Sequence, residues 1–266
     1  MCLNPIALKN RPIYVDCGKC IECCVKKSNA WAFRVMLESR LYMSNCMITL
    51  TYNEDNLPEG SSLSRRDLQL FLKRLRKKVG KLRYFGCGEY GTRKGRPHYH
   101  LIIFGWCPQD LKFFCKDNKG SRLYRSKVLE ECWTKGFSSV GELTFDSAKY
   151  CAIYMQKKPK DGRLKPFLAM SRRPGLAHDA LNKDWLLTDK VYCNGKYITI
   201  PRYFIDKFEN DFGLDLTDFK AKRELKCKMI TDKILCNTNF LFEERMRRMK
   251  KYENYFRKSL DNDMMV

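Results

Sequence analysis

The chain reads as an α+β protein on three observations. Runs rich in β-branched and aromatic residues alternate along it with stretches of helical periodicity. Two of those runs, 82–90 and 97–104, are separated by Gly91 to Arg96 alone, a link so short that an antiparallel hairpin is expected. With 44% hydrophobic and 13% aromatic side chains, the 266 residues carry enough apolar surface for a sizeable core.

Residues 1 to about 28 are cysteine-rich and lack apolar periodicity, which predicts an irregular arm. Over 28–44, Trp31, Val35, Leu37 and Leu41, with Arg34 and Glu38 four apart, predict a helix. Met47 to Tyr52 is β-rich and is ended by 53–62, which contains Pro58 and Gly60. Ser64 then caps a helix with Leu68, Phe71, Leu72 and Leu75 on one stripe and Arg74, Arg76, Lys77 and Lys78 toward solvent, Asp67 being placed to answer the cap. The hairpin of Leu82–Tyr90 and Pro97–Phe104 follows. Phe137 to Thr144 predicts a further strand, and Asp146 to Lys158 a helix ended by Pro159. Beyond it, 160–205 mixes basic loops with a strand-like Lys196–Ile200, and 218–258 is helix-prone and highly charged. No internal repeat is evident. The expected organisation is a cysteine-rich arm and first helix over 1–45, a core over 46–160, and a basic, mostly helical C-terminal extension over 161–266.

Lysine and arginine number 52 against 30 acids, a formal net charge of +22. Solubility alone is the bland explanation. A polyanion such as nucleic acid is the expected partner, because neither low-complexity basic tails nor an amphipathic membrane anchor is evident. The 14 cysteines, with no charged start leading into an apolar signal region, predict reduced thiols in a cytoplasm rather than secretion. The longest apolar stretch, around Leu101 to Cys107, is too short to cross a bilayer.

Two of the three histidines, His98 and His100, alternate in the second hairpin strand, so both imidazoles are expected on one face. The hairpin brings Glu89 beside them. Two imidazoles and a carboxylate with open positions suit Zn²⁺, Mn²⁺ or another transition ion; the plain alternative is a pair of surface histidines beside a solvated glutamate. On the helix after Asp146, Tyr150 and Tyr154 lie one turn apart on one face, with Lys157 and Lys158 following. Such phenols could attack one phosphate in turn if a cation, Lys157 or Lys158 or the metal ion, activates them; taken alone, the row is an ordinary core stripe. In the arm, Cys17, Cys20 and Cys23 are separated by two residues each and Cys2 can supply a fourth thiolate. That pattern admits a structural Zn²⁺, an iron–sulfur cluster or free thiols.

Met47-Ile48-Thr49-Leu50-Thr51-Tyr52, the run Gly88 to His100, and Tyr150-Cys151-Ala152-Ile153-Tyr154-Met155-Gln156-Lys157-Lys158 stand in an order that resembles the three-motif layout of the HUH endonucleases that start rolling-circle replication. More narrowly, the chain resembles the replication initiators of small single-stranded DNA phages, the microviruses, in their gokushovirus branch. Cys17-Gly18-Lys19-Cys20-Ile21-Glu22-Cys23, Trp31-Ala32-Phe33-Arg34 and Ser171-Arg172-Arg173-Pro174-Gly175 carry the same likeness, which runs from residue 1 to about 176.

The resemblance implies a ferredoxin-like core whose central antiparallel sheet carries the histidines, with the tyrosine helix nearby. His98, His100 and Glu89 would hold Mg²⁺ or Mn²⁺; Tyr99 stands where such motifs usually have a bulky hydrophobe and is expected on the opposite face. Tyr150 and Tyr154 would be alternating nucleophiles that nick and rejoin one strand of replicative-form DNA at the phage origin, with host replication machinery as partner and the bacterial cytoplasm as location. Arg93, Lys94, Arg96, Lys158, Arg172 and Arg173 are expected along the single-stranded DNA. A transposase or relaxase with the same histidine motif, or a non-catalytic DNA-binding or packaging protein, are the alternatives.

Overall fold

A computed structural model describes residues 2, 4–9, 13–91, 95–117, 120–153, 162–193, 195–235, 242–244 and 246–250. The chain divides into two compact units, one built on Trp31–Ala180, the other on Met1–Ala30 and Leu181–Lys258. The first elements along the chain are β1 (Ile6–Ala7), β2 (Tyr14–Val15), α1 (Ile21–Ser39), β3 (Asn45–Tyr52), α2 (Arg65–Val79), β4 (Arg83–Tyr90) and β5 (Pro97–Phe104). After these come β6 (Lys112–Lys116), β7 (Arg122–Arg125), α3 (Lys127–Cys132), β8 (Gly136–Gly141), α4 (Phe145–Ile153) and β9 (Phe167–Met170). The last are α5 (Trp185–Thr188), β10 (Lys190–Cys193), β11 (Lys196–Thr199), α6 (Arg202–Phe212) and α7 (Thr217–Leu235).

The Trp31–Ala180 unit is a mixed α/β body around a seven-stranded sheet in the order β6-β7-β8-β3-β5-β4-β9, every pairing antiparallel. The central strand β5 is buried along its whole length, and it separates two apolar layers. On one face, Ile48, Leu50, Tyr99, Leu101 and Ile103 pack with Leu68, Phe71, Leu72 and Leu75 of α2 and with Leu129, Cys132 and Trp133 at α3. On the other, Phe85, Cys87, Ile102 and Phe104 pack with Ala32 and Val35 of α1 and with Ala148, Cys151 and Ala152 of α4. Alternation along β5 therefore sends Tyr99 to the α2 layer and the histidines to the α1 and α4 layer, as the two-residue period requires.

Several local expectations meet their physical limits here. Helix α1 starts at Ile21, seven residues before the apolar stripe begins, because its first turn carries thiols rather than aliphatic side chains. It stops at Ser39, where the Asn45 side-chain amide donates to the Ser39 and Tyr42 carbonyl oxygens (3.0 and 3.3 Å) and closes the exit turn. Arg34 and Glu38 both reach the loop after β9: Arg34 donates to the Leu176 carbonyl oxygen, while Glu38 pairs with Arg83 at 2.5 Å and accepts from the Ala177 N–H at 2.6 Å. Arg83 in turn donates to the carbonyl oxygens of Pro174 and Gly175. The Ser171 to Gly175 motif is thus a clamped loop, with Arg172 and Arg173 on its exposed side. Strands β6, β7, β9 and β10 and helix α3 carry no long periodic signal and emerge only from their pairing in the fold.

Ser64 caps α2 as expected, its hydroxyl accepting from Asp67 N–H at 3.1 Å. The reciprocal half of the box is replaced. The Ser64 N–H goes to the Tyr99 hydroxyl at 2.8 Å, Tyr99 approaches the Ser64 carbonyl oxygen at 2.9 Å and Tyr52 at 2.8 Å, and Asp67 accepts from Tyr52 instead. Tyr99 therefore pins the start of α2 to the sheet, which a purely apolar residue between the histidines could not do. Tyr99→Phe is expected to cost about 1–3 kcal/mol, because it strands the Ser64 N–H, a loss readable by urea unfolding. A change under about 0.5 kcal/mol would mean the hydroxyl network is incidental.

In the other unit, β1 pairs with β2 and β10 with β11, each as an antiparallel two-stranded ribbon. Phe204, Ile205 and Phe208 of α6 supply buried apolar surface, and Arg223 of α7 bonds to Asp189 and to the Ile200 carbonyl oxygen. Among the described residues, no helix is long and apolar enough to cross a membrane.

Candidate metal centre and active site

Register alone assembles the histidine site. On the β4–β5 hairpin Glu89 stands opposite His98 and Cys87 opposite His100; on β3, Thr51 and Thr49 oppose the same two histidines. Directly opposed residues share a face, so Glu89, both imidazoles and Thr49 project together. Gly91 N–H to the Arg96 carbonyl oxygen at 2.9 Å closes the hairpin end, and Gly95, at φ +61°, takes the left-handed turn conformation that glycine permits.

Glu89 Oε1 lies 3.1 Å from His98 Nε2 and 3.0 Å from His100 Nε2, and all three side chains are buried. The outer ring nitrogens are held as metal-binding imidazoles require. His98 Nδ1 lies 3.1 Å from the Arg96 carbonyl oxygen, and His100 Nδ1 lies 3.0 Å from Thr49 Oγ1. A carbonyl only accepts, so His98 Nδ1 carries a proton, and a neutral ring then presents the Nε2 lone pair to a carboxylate oxygen. Two acceptors at that distance repel unless a cation, proton or metal ion, sits with them. Two more atoms point the same way: His100 Nε2 and Glu89 Oε2 are buried without a hydrogen-bond partner.

Donors about 2.1 Å from one ion and at right angles stand about 3.0 Å apart, close to the carboxylate–imidazole separations here. The residues present therefore fit a hard or borderline divalent ion held by one carboxylate and two imidazoles, with positions left for oxygen ligands. Burial by itself would raise the Glu89 carboxyl, but the imidazoles of His100 and His98 outweigh it and hold it down at about 2 against an ordinary 4.5. It is fully ionised near neutrality.

Of the tyrosines singled out by spacing, Tyr150 is half-buried on α4 and its ring meets His100 edge to face, centroids 5.1 Å apart and planes at 89°. Ala148, Cys151 and Ala152 seat that helix on the histidine face of the sheet. Tyr154, Lys157, Lys158, Arg93 and Lys94 lie outside the described residues. Arg96 is engaged locally: its guanidinium donates to the Tyr52 carbonyl oxygen at 2.7 Å and pairs with Glu54. Thr49, which orients His100, carried no signal of its own; only the β3 register reveals it.

The cysteines of the arm also converge. Sγ–Sγ separations are 3.8 Å for Cys2 and Cys20, 3.9 Å for Cys17 and Cys23, and 3.4 Å for Cys20 and Cys23. Amide hydrogen bonds from Cys20 and Lys19 draw the Cys17 thiol down to about 6 from 9.0, whereas burial raises Cys2 and Cys23.

Comparison with known proteins fits this geometry. The model of the replication-associated protein ORF2 family matches residues 45–159, a span that contains β3, the histidine hairpin and the tyrosine helix. Replication-associated protein VP4 of Bdellovibrio phage phiMH2K is 31% identical over 234 residues, which is 81% of this chain and 74% of that protein. Replication-associated protein ORF2 of Spiroplasma virus 4 is 31% identical over 262 residues, covering 88% of this chain and 82% of its own length. Replication-associated protein ORF4 of Chlamydia phage 1 is 34% identical over 211 residues, 72% of this chain but 53% of that longer protein. No solved structure matches. With relatives of this identity aligned over most of their length, the chain belongs to the replication-associated proteins of small phages.

Proposed function

We propose that the protein is a rolling-circle replication initiator, an HUH endonuclease with a ferredoxin-like core that nicks and rejoins single-stranded DNA at its phage's origin. One observation carries the reading: Glu89, His98 and His100 converge in a buried cluster with orphaned donor atoms, and the Tyr150 ring stands against His100. The residues fit Mg²⁺ or Mn²⁺, which when bound supplies Lewis-acid polarisation of the scissile phosphate.

The chain's own groups do the rest. Glu89, His98 and His100 set the position of the phosphate relative to α4, and rigid strands make that position reproducible. The Tyr150 phenolic oxygen attacks phosphorus, the P–O3′ bond breaks, and the phenolic proton passes to solvent as the leaving oxygen takes one up. The products are a 5′-phosphotyrosine and a free 3′-hydroxyl. One ester replaces another, so no nucleotide is consumed. Attack of a 3′-hydroxyl on the phosphotyrosine reverses the step and reseals a strand, and Tyr154, one turn on, is the second nucleophile for the regenerated origin, with Lys157 as its neighbouring cation. Host polymerase extends the 3′ end, in the bacterial cytoplasm. The direct test incubates the protein with labelled single strands tiling its genome and Mn²⁺; a fragment linked to protein at one sequence is expected, and no linkage to any of them sinks the proposal.

The path of the strand follows the exposed residues of the same face. Phe137 on β8 opposes Thr51, which opposes His98, so the three share one row; Phe137 is nonetheless 56% exposed. At about 4.8 Å per strand its Cα lies about 10 Å from that of His98, one base-stacking step from the phosphate site. Arg172 and Arg173, on their clamped loop, and Arg93, Lys94 and Lys158 supply backbone charge. Phe137→Ala should weaken single-strand binding about tenfold in fluorescence anisotropy while unfolding at an unchanged temperature. Equal affinity would remove Phe137 from the path.

A further inference from the structure

The geometry points to a second metal site, separate from the histidine cluster: Cys2, Cys17, Cys20 and Cys23 bind one Zn²⁺ as four thiolates, and the ion is the clip that holds the N-terminal arm in its fold. The four sulfurs lie within 4.8 Å of one another, and three of their separations are 3.4, 3.8 and 3.9 Å. A tetrahedral zinc with four bonds of about 2.3 Å sets its sulfurs about 3.8 Å apart. A disulfide needs about 2.05 Å and joins only two of them, and all four cysteines are free. An iron–sulfur cluster distributes its thiolates over separate irons and so spreads at least some of them farther than a single ion does.

The local backbone is built for the ligands. Cys20 and Cys23, three apart at the entry of α1, face the same way. Gly18, at φ +69°, makes the turn that brings Cys17 round to them, a conformation that side chains other than glycine resist. Cys20 N–H donates to Cys17 Sγ at 3.3 Å and Cys17 N–H to Cys2 Sγ at 3.2 Å, an arrangement that favours sulfur carrying negative charge.

The arm has little else to keep it in place. Ile6, Leu8, Tyr14 and Val15 are each between 37 and 51% exposed, so the β1–β2 ribbon has no apolar layer of its own. Two-residue strands do not persist in water unaided. What is buried in this arm is sulfur: Cys2 and Cys23 are 8 and 7% exposed. Small folds that lack a core are commonly held by a structural metal, and four converging thiols at single-ion spacing are that device.

The test uses the full-length protein washed with EDTA to strip the histidine site. Elemental analysis is expected to find about one zinc per chain, retained in His98→Ala/His100→Ala and lost in Cys20→Ser/Cys23→Ser. Should the cysteine variant fail to fold, stepwise titration of the wild type with p-hydroxymercuribenzoate decides: zinc release complete after about four thiol equivalents supports the site. Replacement by Co²⁺ should add the near-ultraviolet thiolate charge-transfer bands of a four-sulfur centre. Zinc content that is unchanged in the cysteine variant, that follows the histidines, or that is replaced by iron in the wild type overturns the proposal. Strand cleavage is not the readout, so failure here leaves the nuclease reading standing, and the reverse holds too.

Discussion

Replacing Tyr150 by phenylalanine is expected to reduce formation of the covalent protein–DNA adduct at the origin by about 10³-fold or more, with the fold intact. The phenolic oxygen is the only atom removed; the ring that meets His100 edge to face, and the packing of Ala148, Cys151 and Ala152 beneath the helix, remain. Losing a nucleophile removes the bond-forming partner, and each tenfold in rate corresponds to about 1.4 kcal/mol of barrier. Any adduct that persists should map by peptide sequencing to Tyr154, and Tyr150→Phe/Tyr154→Phe should form none. An undiminished adduct in the double variant would show that neither phenol is the attacking group.

Comparable in size is the effect of Glu89→Gln, which keeps the shape of the side chain while deleting the charge between His98 and His100. Mn²⁺ affinity should fall by at least about 10²-fold in titration calorimetry, and cleavage at limiting Mn²⁺ should fall with it by about 10³-fold, the several kcal/mol that metal assistance supplies. EDTA should abolish cleavage by the wild type, and added Mn²⁺ should restore it. The sign of the acid response also follows. Because the folded carboxyl titrates at about 2 and the ordinary one at 4.5, the Glu89 contribution to stability is complete above pH 4.5 and disappears as pH falls through about 2. Glu89 thus remains ionised throughout the working range, and a wild-type protein that gained stability between pH 4.5 and 2 would contradict the charge pairing. Wild-type affinity retained by Glu89→Gln would remove Glu89 from the ligand set.

Much of this was legible in residue order. His98 and His100 alternate, and Gly91 to Arg96 allows only a tight return, so the pairing of Glu89 with His98 follows from chain geometry over a dozen residues. Helix α2 announced itself through Ser64 and the Leu68, Phe71, Leu72, Leu75 stripe, and β5 appeared with its observed ends. Local signals of that kind survive because backbone periodicity and turn length are properties of short segments. The edge strands and α3 were silent for the opposite reason: β6, β7 and β9 are four or five residues long and acquire their conformation from neighbours distant in sequence. The start of α1 is equally silent, because cysteines at its first turn give no apolar rhythm.

Spacing and composition settled which side chains could form a metal clasp, that a hairpin would carry it, and that the protein would be basic. They could not say that Thr49 and the Arg96 carbonyl orient the two imidazoles, that Tyr99 anchors α2, that Arg34, Glu38 and Arg83 clamp the loop bearing Arg172 and Arg173, or that Cys2 reaches the other three thiols. Those contacts join residues far apart in the chain, and their energies depend on burial and on distances that exist only once the sheet has closed and water has been excluded from both of its faces.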